Sequence, residues 1–168
     1  DDEIWRQANF DRLTGLPNRA LLTDRLESML RHARRHASLV AVLFIDLDRF
    51  KPVNDQFGHD VGDLLLRQVA RRLLTVFREE DTVARIGGDE FVVVMQGEEF
   101  VGGCERAAAE VVERLSQPFT VDERTFGIGC SVGIARFPAN GDGAETLINA
   151  ADRAMYRAKN GGRGRWSQ

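Results

Sequence analysis

Apolar residues recur at helical spacing in four segments of the chain, which predicts four main helices. In the first of them, Leu22, Leu26, Met29 and Ala33 mark one face. Polar and charged residues separate these apolar positions, as expected for helices that bury one side against a core. The predicted helices cover residues 17–37, 60–77, 102–117 and 144–159.

Shorter apolar runs between the helices predict strands. Residues 39–45 (LVAVLFI) form a continuous run that is typical of a central strand buried on both faces. Residues 82–86 and 91–95 flank a Gly-Gly turn and predict a hairpin. A second hairpin is predicted from residues 119–121, a turn at Asp122-Glu123, and a return strand over residues 126–135. One face of that return strand carries only small residues, which would let a helix approach closely.

The order of these elements predicts the fold class. A βαββαββα series with an added N-terminal helix gives an α/β (α+β) fold, in which helices flank a central, mostly antiparallel, five-stranded sheet. A length of 168 residues fits one compact domain. We expect residues 1–10 to be an N-terminal linking segment and residues 11–168 to form the domain.

Composition narrows the class of protein. The chain is 43% hydrophobic and 29% charged, with a net charge of −3, so we expect a soluble cytoplasmic domain without bulk attraction to nucleic acid. The longest apolar run is too short to cross a bilayer, so no direct membrane contact is expected, although the full-length protein could be anchored elsewhere. Cys104 and Cys130 lie far apart and are expected to be reduced thiols.

Acidic residues break the apolar pattern at two places. Asp46 follows the buried strand, and Asp89-Glu90 lie at the tip of the first hairpin, after Gly87-Gly88. A central strand end and a neighbouring hairpin can bring the three carboxylates together, where they repel one another unless a cation binds. Oxygen ligands without His or Cys favour Mg²⁺ or Mn²⁺. Taken singly, these acids could equally be turn residues, and the two glycines leave room for a ligand near the backbone.

Residues 50–55 (FKPVND) supply exposed backbone amides and Lys51, both of which suit phosphate, although an ordinary turn remains open for Lys51 alone. Asn54 and Asp63 supply an amide and a carboxylate that could recognise the edge of guanine. Asp63 has a competing role, because acids near the start of the second helix stabilise its N-terminus. His59 is interpreted as a structural residue.

Several blocks together resemble one known family. Residues 85–91 (RIGGDEF) resemble the signature of the GGDEF domain family, and the similarity covers residues 11 to about 165. The other matching blocks are residues 11–19 (DRLTGLPNR), 44–63 (FIDLDRFKPVNDQFGHDVGD), 131–135 (SVGIA) and 151–159 (ADRAMYRAK).

The resemblance implies a diguanylate cyclase with the fold of nucleotide cyclases and polymerase palm domains, which condenses two GTP into cyclic di-GMP and two pyrophosphates. It implies two Mg²⁺ or Mn²⁺ ions per active site. Asp46 would bind both ions, the Leu47 carbonyl would add a ligand, and Glu90 would complete the site. Asp89 would act at the metal site and help to deprotonate the attacking 3′-hydroxyl.

The resemblance also implies a GTP site. Asn54 and Asp63 would recognise guanine, while Lys51, Lys159 and Arg163 would hold the triphosphate. The implied GTP-binding residues are Phe50, Lys51, Asn54, Asp63, Gly87, Gly88, Lys159 and Arg163. Because each domain holds one GTP, two domains must face each other as a homodimer for both bonds to form.

Residues 78–81 (REED) fit the family's RxxD pattern, which implies that Arg78 and Asp81 bind cyclic di-GMP as an inhibitor. The plain alternative is an exposed ion pair. The resemblance further implies a fused sensor or EAL domain outside this chain.

Two other functions stay open. Residues 16–26 resemble the subgroup that carries a second, cyclic di-GMP-degrading domain, so the chain could be a catalytically silent GTP-binding module that regulates such a phosphodiesterase. A third hypothesis is another nucleotide cyclase or a polymerase-like enzyme with the same palm fold.

Overall fold

The structure is a computed structural model that describes residues 1–97 and 103–168, and its secondary structure follows most of the predicted pattern. Among these residues, no helix is long and apolar enough to span a lipid bilayer. The helices are α1 (Asp2–Asn9), α2 (Arg19–His36), α3 (Phe50–Phe57), α4 (His59–Val76), α5 (Gly103–Ser116) and α6 (Ala144–Asn160). The strands are β1 (Val40–Asp48), β2 (Thr82–Gly87), β3 (Glu90–Gln96), β4 (Phe119–Val121), β5 (Arg124–Phe126), β6 (Gly129–Phe137) and β7 (Trp166–Ser167).

The central sheet has five strands in the order β2-β3-β1-β6-β7. All neighbours are antiparallel except β6 and β7, so the predicted five-stranded, mostly antiparallel α/β fold is confirmed. Strand β1 lies in the middle because its apolar residues are buried on both faces of the sheet. It continues past the predicted end at Ile45, so that Asp46 and Asp48 belong to the strand itself.

Alternating residues of β1 supply two separate cores. Leu43, Ile45 and Leu47 pack in the core formed with α3, α4 and α5. Val42 and Phe44 pack in the core formed with α2 and α6. The period-two alternation of a strand therefore explains why helices cover both faces of the sheet.

The small face of β6 allows α6 to lie directly on the sheet, as predicted. A Cβ atom on Gly133 would clash with the backbone carbonyl oxygen of Ala151 and the backbone nitrogen of Met155. This close approach fixes the path of α6, whose last turn carries Lys159 towards the end of β1.

The predicted second hairpin is wrong in its return strand. Strand β4 pairs with the short β5 as a separate two-stranded sheet, whereas β6 begins only at Gly129 and joins the central sheet. The turn at Asp122-Glu123 is confirmed, with φ values of 50° and 67° that suit a tight hairpin. The fifth strand of the central sheet is β7, which the hydrophobic pattern did not indicate.

Two helix starts also differ from the predictions. Helix α2 begins at Arg19 rather than at residue 17, because the side chain of Asn18 accepts a hydrogen bond from the Leu21 N–H and caps the helix. Helix α3 lies in a segment where the sequence predicted no helix, and it starts directly after Arg49, which has a left-handed conformation (φ 65°). The predicted start of the third helix, Gly102, lies outside the described residues.

Candidate active site

The acidic centre lies where β1 and β3 run side by side. Asp46 of β1 is directly opposite Glu90 of β3 in the antiparallel register. The Leu47 N–H donates to the Asp89 carbonyl oxygen at 3.1 Å, which fixes the hairpin tip against β1. Directly opposed residues of antiparallel strands have Cβ atoms about 5 Å apart. The structure therefore brings Asp46, Asp89 and Glu90 together, as the sequence predicted.

The electrostatics of this centre disfavour negative charge in the absence of a cation. Burial, reinforced by the nearby charges of Asp89 and Glu90, raises the pKa of Asp46 to about 6, although Lys159 acts in the opposite direction. Burial, together with Asp152 and Asp89, also raises the pKa of Glu90. Burial is the larger cause of both shifts and repulsion among the carboxylates adds to it, and a bound divalent cation would relieve both.

The donor set fits a hard divalent cation. Carboxylate oxygens of Asp46 and Glu90 and the backbone carbonyl of Leu47 are the ligands that Mg²⁺ prefers. Within residues 1–97 and 103–168, no three His, Cys, Asp or Glu side chains form a ready-made metal cage. Mg²⁺ is usually bound through one or two carboxylates plus substrate phosphates, so the open arrangement agrees with a site that a nucleotide completes.

Two cations from the end of α6 face the acidic centre. Lys159 Nζ lies 3.5 Å from Asp46 Oδ2 and 3.4 Å from Asp48 Oδ1. Arg163 Nη1 lies 3.3 Å from Asp48 Oδ1, and more than half of the Arg163 side chain is exposed. Both cations thus lie beside the carboxylates at the end of β1. Sequence reasoning assigned no role to Asp48, although an acid at the buried end of a strand needs partners.

The glycine turn leaves open space next to the acidic centre. Gly87 and Gly88 have φ values of 152° and 45°, and a Cβ atom on either would meet no described atom within 4 Å. Arg85 fixes this turn, because its Nε and Nη2 donate to the Gly88 carbonyl oxygen at 3.0 and 2.8 Å. The turn therefore has a defined shape with room above it.

Arg85 also joins the turn to the segment that enters the domain. Its Nη1 donates to Asp11 Oδ1 at 2.9 Å, and both side chains are largely buried. The other oxygen of Asp11 accepts from the Thr14 N–H and hydroxyl. Sequence reasoning missed this link, since the two partners lie 74 positions apart.

The proposed guanine residues lie on the helix pair α3 and α4. Asn54 Nδ2 lies 3.0 Å from His59 Nδ1, and a Cβ atom on Gly62 would clash with Asn54 Oδ1. Asp63 is exposed and does not cap α4, whose N-cap is Gly58 without a side-chain hydrogen bond. Asn54 is therefore fixed next to the turn of α4 that carries Asp63.

The remaining predicted nucleotide contacts on α3 differ in exposure. Lys51 is exposed, whereas the Phe50 side chain is buried in the core, so that any contact of Phe50 with GTP would involve its backbone.

A family comparison agrees with this geometry. The family model described as "Diguanylate cyclase, GGDEF domain" matches residues 8–165. The chain belongs to the GGDEF domain family. The bifunctional diguanylate cyclase/cyclic di-GMP phosphodiesterase MucR of Pseudomonas aeruginosa is 46% identical over 161 residues, which are 96% of this chain and 23% of MucR. The cyclic di-GMP phosphodiesterase PdeR of Escherichia coli is 41% identical over 159 residues, which are 95% of this chain and 24% of PdeR.

The diguanylate cyclase TpbB of P. aeruginosa is 42% identical over 162 residues, which are 96% of this chain and 37% of TpbB. A solved structure that comprises only the GGDEF domain of TpbB superposes with a TM-score of 0.90 at 41% identity, covering 94% of this chain and 92% of that one. The present GGDEF domain thus spans between about a quarter and about a third of these three relatives.

The GGDEF domain also carries the predicted RxxD pair at the far end of β2. Asp81 Oδ2 accepts from the Arg78 N–H at 2.9 Å, and Arg78 Nε lies 3.3 Å from Glu80 Oε1. Burial raises the pKa of Asp81, while the Arg78 N–H and guanidinium lower it. Since β2 separates Asp81 from Gly87, the pair lies roughly 20 Å from the glycine turn at about 3.3 Å per residue.

Arg78 and Glu80 line a cavity of about 550 Å³, together with His32, His36, Ser38, Gln96 and Gly97.

Proposed function

We propose that this GGDEF domain condenses two GTP molecules into cyclic di-GMP and two pyrophosphates. The observation that carries the proposal is the pairing of Asp46 with Glu90 across adjacent strands, next to Lys159 and the open Gly87-Gly88 turn. The family model and the likeness to TpbB support the same activity.

In the proposed mechanism, two Mg²⁺ or Mn²⁺ ions would be held by Asp46, Glu90, the Leu47 carbonyl and Asp89. When bound, such ions lower the pKa of an attacking hydroxyl and neutralise charge on phosphate. Asp89 lies at the hairpin tip and would accept the proton of the 3′-hydroxyl. The raised pKa of Asp46 supports a functional role for the acidic centre as a whole, because strongly perturbed carboxyl groups in a cleft are typical of functional sites.

The nucleotide would lie between the acidic centre and the helix pair. Lys159 and Arg163 would bind the triphosphate with Lys51, and Asn54 and Asp63 would bind the guanine edge. The Gly87-Gly88 turn would let the nucleotide approach the backbone. Exposure of Asp63 and Lys51 leaves both side chains accessible to GTP.

Two copies of the domain are needed in this mechanism, since each supplies one GTP and each 3′-hydroxyl attacks the other nucleotide. A two-fold homodimer satisfies the requirement because both bonds are then equivalent. We further propose that Arg78 and Asp81 bind the product and inhibit the enzyme. An arginine can pair with phosphate through two donors or stack on guanine, which suits a cyclic dinucleotide.

A second candidate function is a silent GTP-binding module that regulates a neighbouring phosphodiesterase domain. The likeness to MucR and PdeR favours it, because MucR is named as bifunctional, PdeR is named as a phosphodiesterase, and this chain spans only about a quarter of each. A fused sensor or EAL domain outside this chain is part of both proposals.

The test is incubation of concentrated protein with GTP and Mg²⁺, followed by chromatography of the nucleotides. Wild-type protein is expected to form cyclic di-GMP, and Glu90→Gln is expected to form none while staying folded. Product from both proteins would contradict the proposed role of Glu90. GTP binding without product, even after dimerisation is forced through a fused coiled coil, would favour the silent module.

A further inference from the structure

Asp48 is a buried carboxylate that lies at the centre of a polar cluster. Its side chain is 1% exposed. The Ser131 hydroxyl lies 3.0 and 3.1 Å from its two oxygens, and the Gly164 N–H donates to Oδ2 at 3.0 Å. Lys159 Nζ and Arg163 Nη1 lie 3.4 and 3.3 Å from Oδ1. A buried charge of this kind persists because several donors satisfy it.

Apart from Ser131 of β6, the donors come from one continuous piece of chain. Lys159 lies in the last turn of α6, while Arg163 and Gly164 belong to the turn that follows the helix. Arg163 and Gly164 have φ values of 64° and 57°, in the left-handed region that L-residues other than glycine rarely adopt. Asp48 therefore anchors a turn whose backbone conformation is unfavourable for Arg163 on its own.

Lys159 lies almost midway between two carboxylates. Its ammonium is 3.5 Å from Asp46 and 3.4 Å from Asp48. Without the second carboxylate, the ammonium would pair with Asp46 alone and compete with any cation at the acidic centre. Lys159 thus divides its contacts between Asp48 and the acidic centre.

We propose that Asp48 is a positioning residue that orients Lys159 and Arg163 to bind the triphosphate group of a nucleotide, an inference that rests on the function proposed above. Asp48 does not itself touch the nucleotide in this arrangement. It acts through the two cations and the turn that carries Arg163.

If Asp48 acts as an anchor, its removal changes GTP affinity in the direction opposite to the one expected from net charge alone. Removing a negative charge next to an anion site should strengthen GTP binding if charge alone mattered. Removing an anchor should weaken GTP binding, because Lys159 and Arg163 are no longer held in position. Asp48→Asn distinguishes the charge effect from the anchoring effect. The amide oxygen still accepts from Ser131 or Gly164, while the charge that holds the cations is lost.

The experiment measures binding of a non-reactive GTP analogue and of guanosine by calorimetry in Mg²⁺, so that cations can fill the acidic centre and no turnover occurs. Asp48→Asn is expected to weaken GTP binding about tenfold, because charge-assisted hydrogen bonds to both cations are lost. Guanosine binding should not change. Ser131→Ala, which keeps the carboxylate, serves as the matched control and should bind GTP within about twofold of wild type.

A double-substitution background tests whether Asp48 acts through the cations. In a Lys159→Met, Arg163→Met protein, Asp48→Asn should have no further effect on GTP binding. Should Asp48→Asn fail to fold, Asp48→Glu keeps the charge but displaces it, and the same loss of GTP affinity is expected.

Equal or tighter GTP binding by folded Asp48→Asn would overturn the inference while leaving the proposed function intact. A wild-type protein that binds neither GTP nor guanosine would contradict the proposed function, and this inference with it.

Discussion

Asp46 should destabilise the metal-free fold at neutral pH, because a site built to bind cations holds carboxylates that repel one another. Burial and neighbouring acids raise its pKa from 3.8 to about 6. The perturbation is Asp46→Asn, which keeps the shape of the side chain but removes its charge. We predict that the substituted protein unfolds at a higher urea concentration than wild type at pH 8 in EDTA.

The expected gain in stability can be calculated from the pKa shift of Asp46. A change of about two pKa units corresponds to about 3 kcal/mol at about 1.4 kcal/mol per unit. The Asp46 side chain is 16% exposed, so water screens part of the repulsion, and Asp46→Asn also removes one of the two ion pairs of Lys159. A net gain of about 1–2 kcal/mol in the free energy of unfolding remains.

The sign depends on pH in a defined way. Below about pH 4 the carboxyl is protonated in both the folded and the unfolded state, and between about 4 and 6 only the folded state keeps the proton. Wild-type stability relative to Asp46→Asn should therefore fall as pH rises from about 4 to about 6 and stay constant above.

The assay is urea unfolding, followed by far-UV circular dichroism, at pH 4.5, 6 and 8. Lower stability of Asp46→Asn at pH 8, or a difference that does not vary with pH, would show that the Asp46 charge does not destabilise the metal-free fold.

Three further predictions concern packing, the glycine turn and base choice. Gly133→Ala should lower the free energy of unfolding by about 3 kcal/mol in urea titrations, because its methyl group meets the α6 backbone, whereas Gly127→Ala, with open space around it, should change it little. A fall of similar size in both variants would contradict the packing argument. Arg85→Lys should slow cyclic di-GMP formation about tenfold without unfolding the protein, because a single ammonium cannot replace its two hydrogen bonds to the turn; unchanged turnover would contradict this. Asp63→Ala should reduce the preference for GTP over ATP in binding at least tenfold, while the nearby Asp60→Ala should not; a variant of Asp63 that still excludes ATP would refute its role.

The sequence sufficed for the acidic centre because its members lie at the ends of neighbouring strands. Continuous hydrophobicity predicts that β1 is central, and a hairpin with acids at its tip must pair beside it. Asp46 and Glu90 then meet by register alone. Local pattern and strand pairing were enough for these residues.

Side-chain contacts between residues far apart in the sequence could not be predicted from local pattern and strand pairing. Asp48 contacts Ser131, Lys159 and Arg163, which lie 83 to 115 positions further along the sequence. The link between Arg85 and Asp11 spans 74 positions. Single-residue patterns carry no signal for such contacts, because the side chains are brought together by the packing of α6 and the entry segment on the sheet.

The shortest strands could not be predicted from the sequence for a different reason. Strand β7 has only two residues, and its pairing depends on β6 being available as a partner. The break between β5 and β6 interrupts a run that alternates smoothly in the sequence, so periodicity predicted one strand there. Whether such a short segment forms a strand depends on the strand available to pair with it, and hydrophobic periodicity carries no information about that partner.

The proposed function requires that Asp46 and Glu90 hold divalent cations for a bound guanine nucleotide. Anomalous X-ray diffraction from crystals of the protein grown with Mn²⁺ and a non-reactive GTP analogue would show the cations directly. We expect manganese peaks within about 2.5 Å of carboxylate oxygens of Asp46 and Glu90, beside the triphosphate. A bound nucleotide whose manganese lies away from both carboxylates would contradict this role.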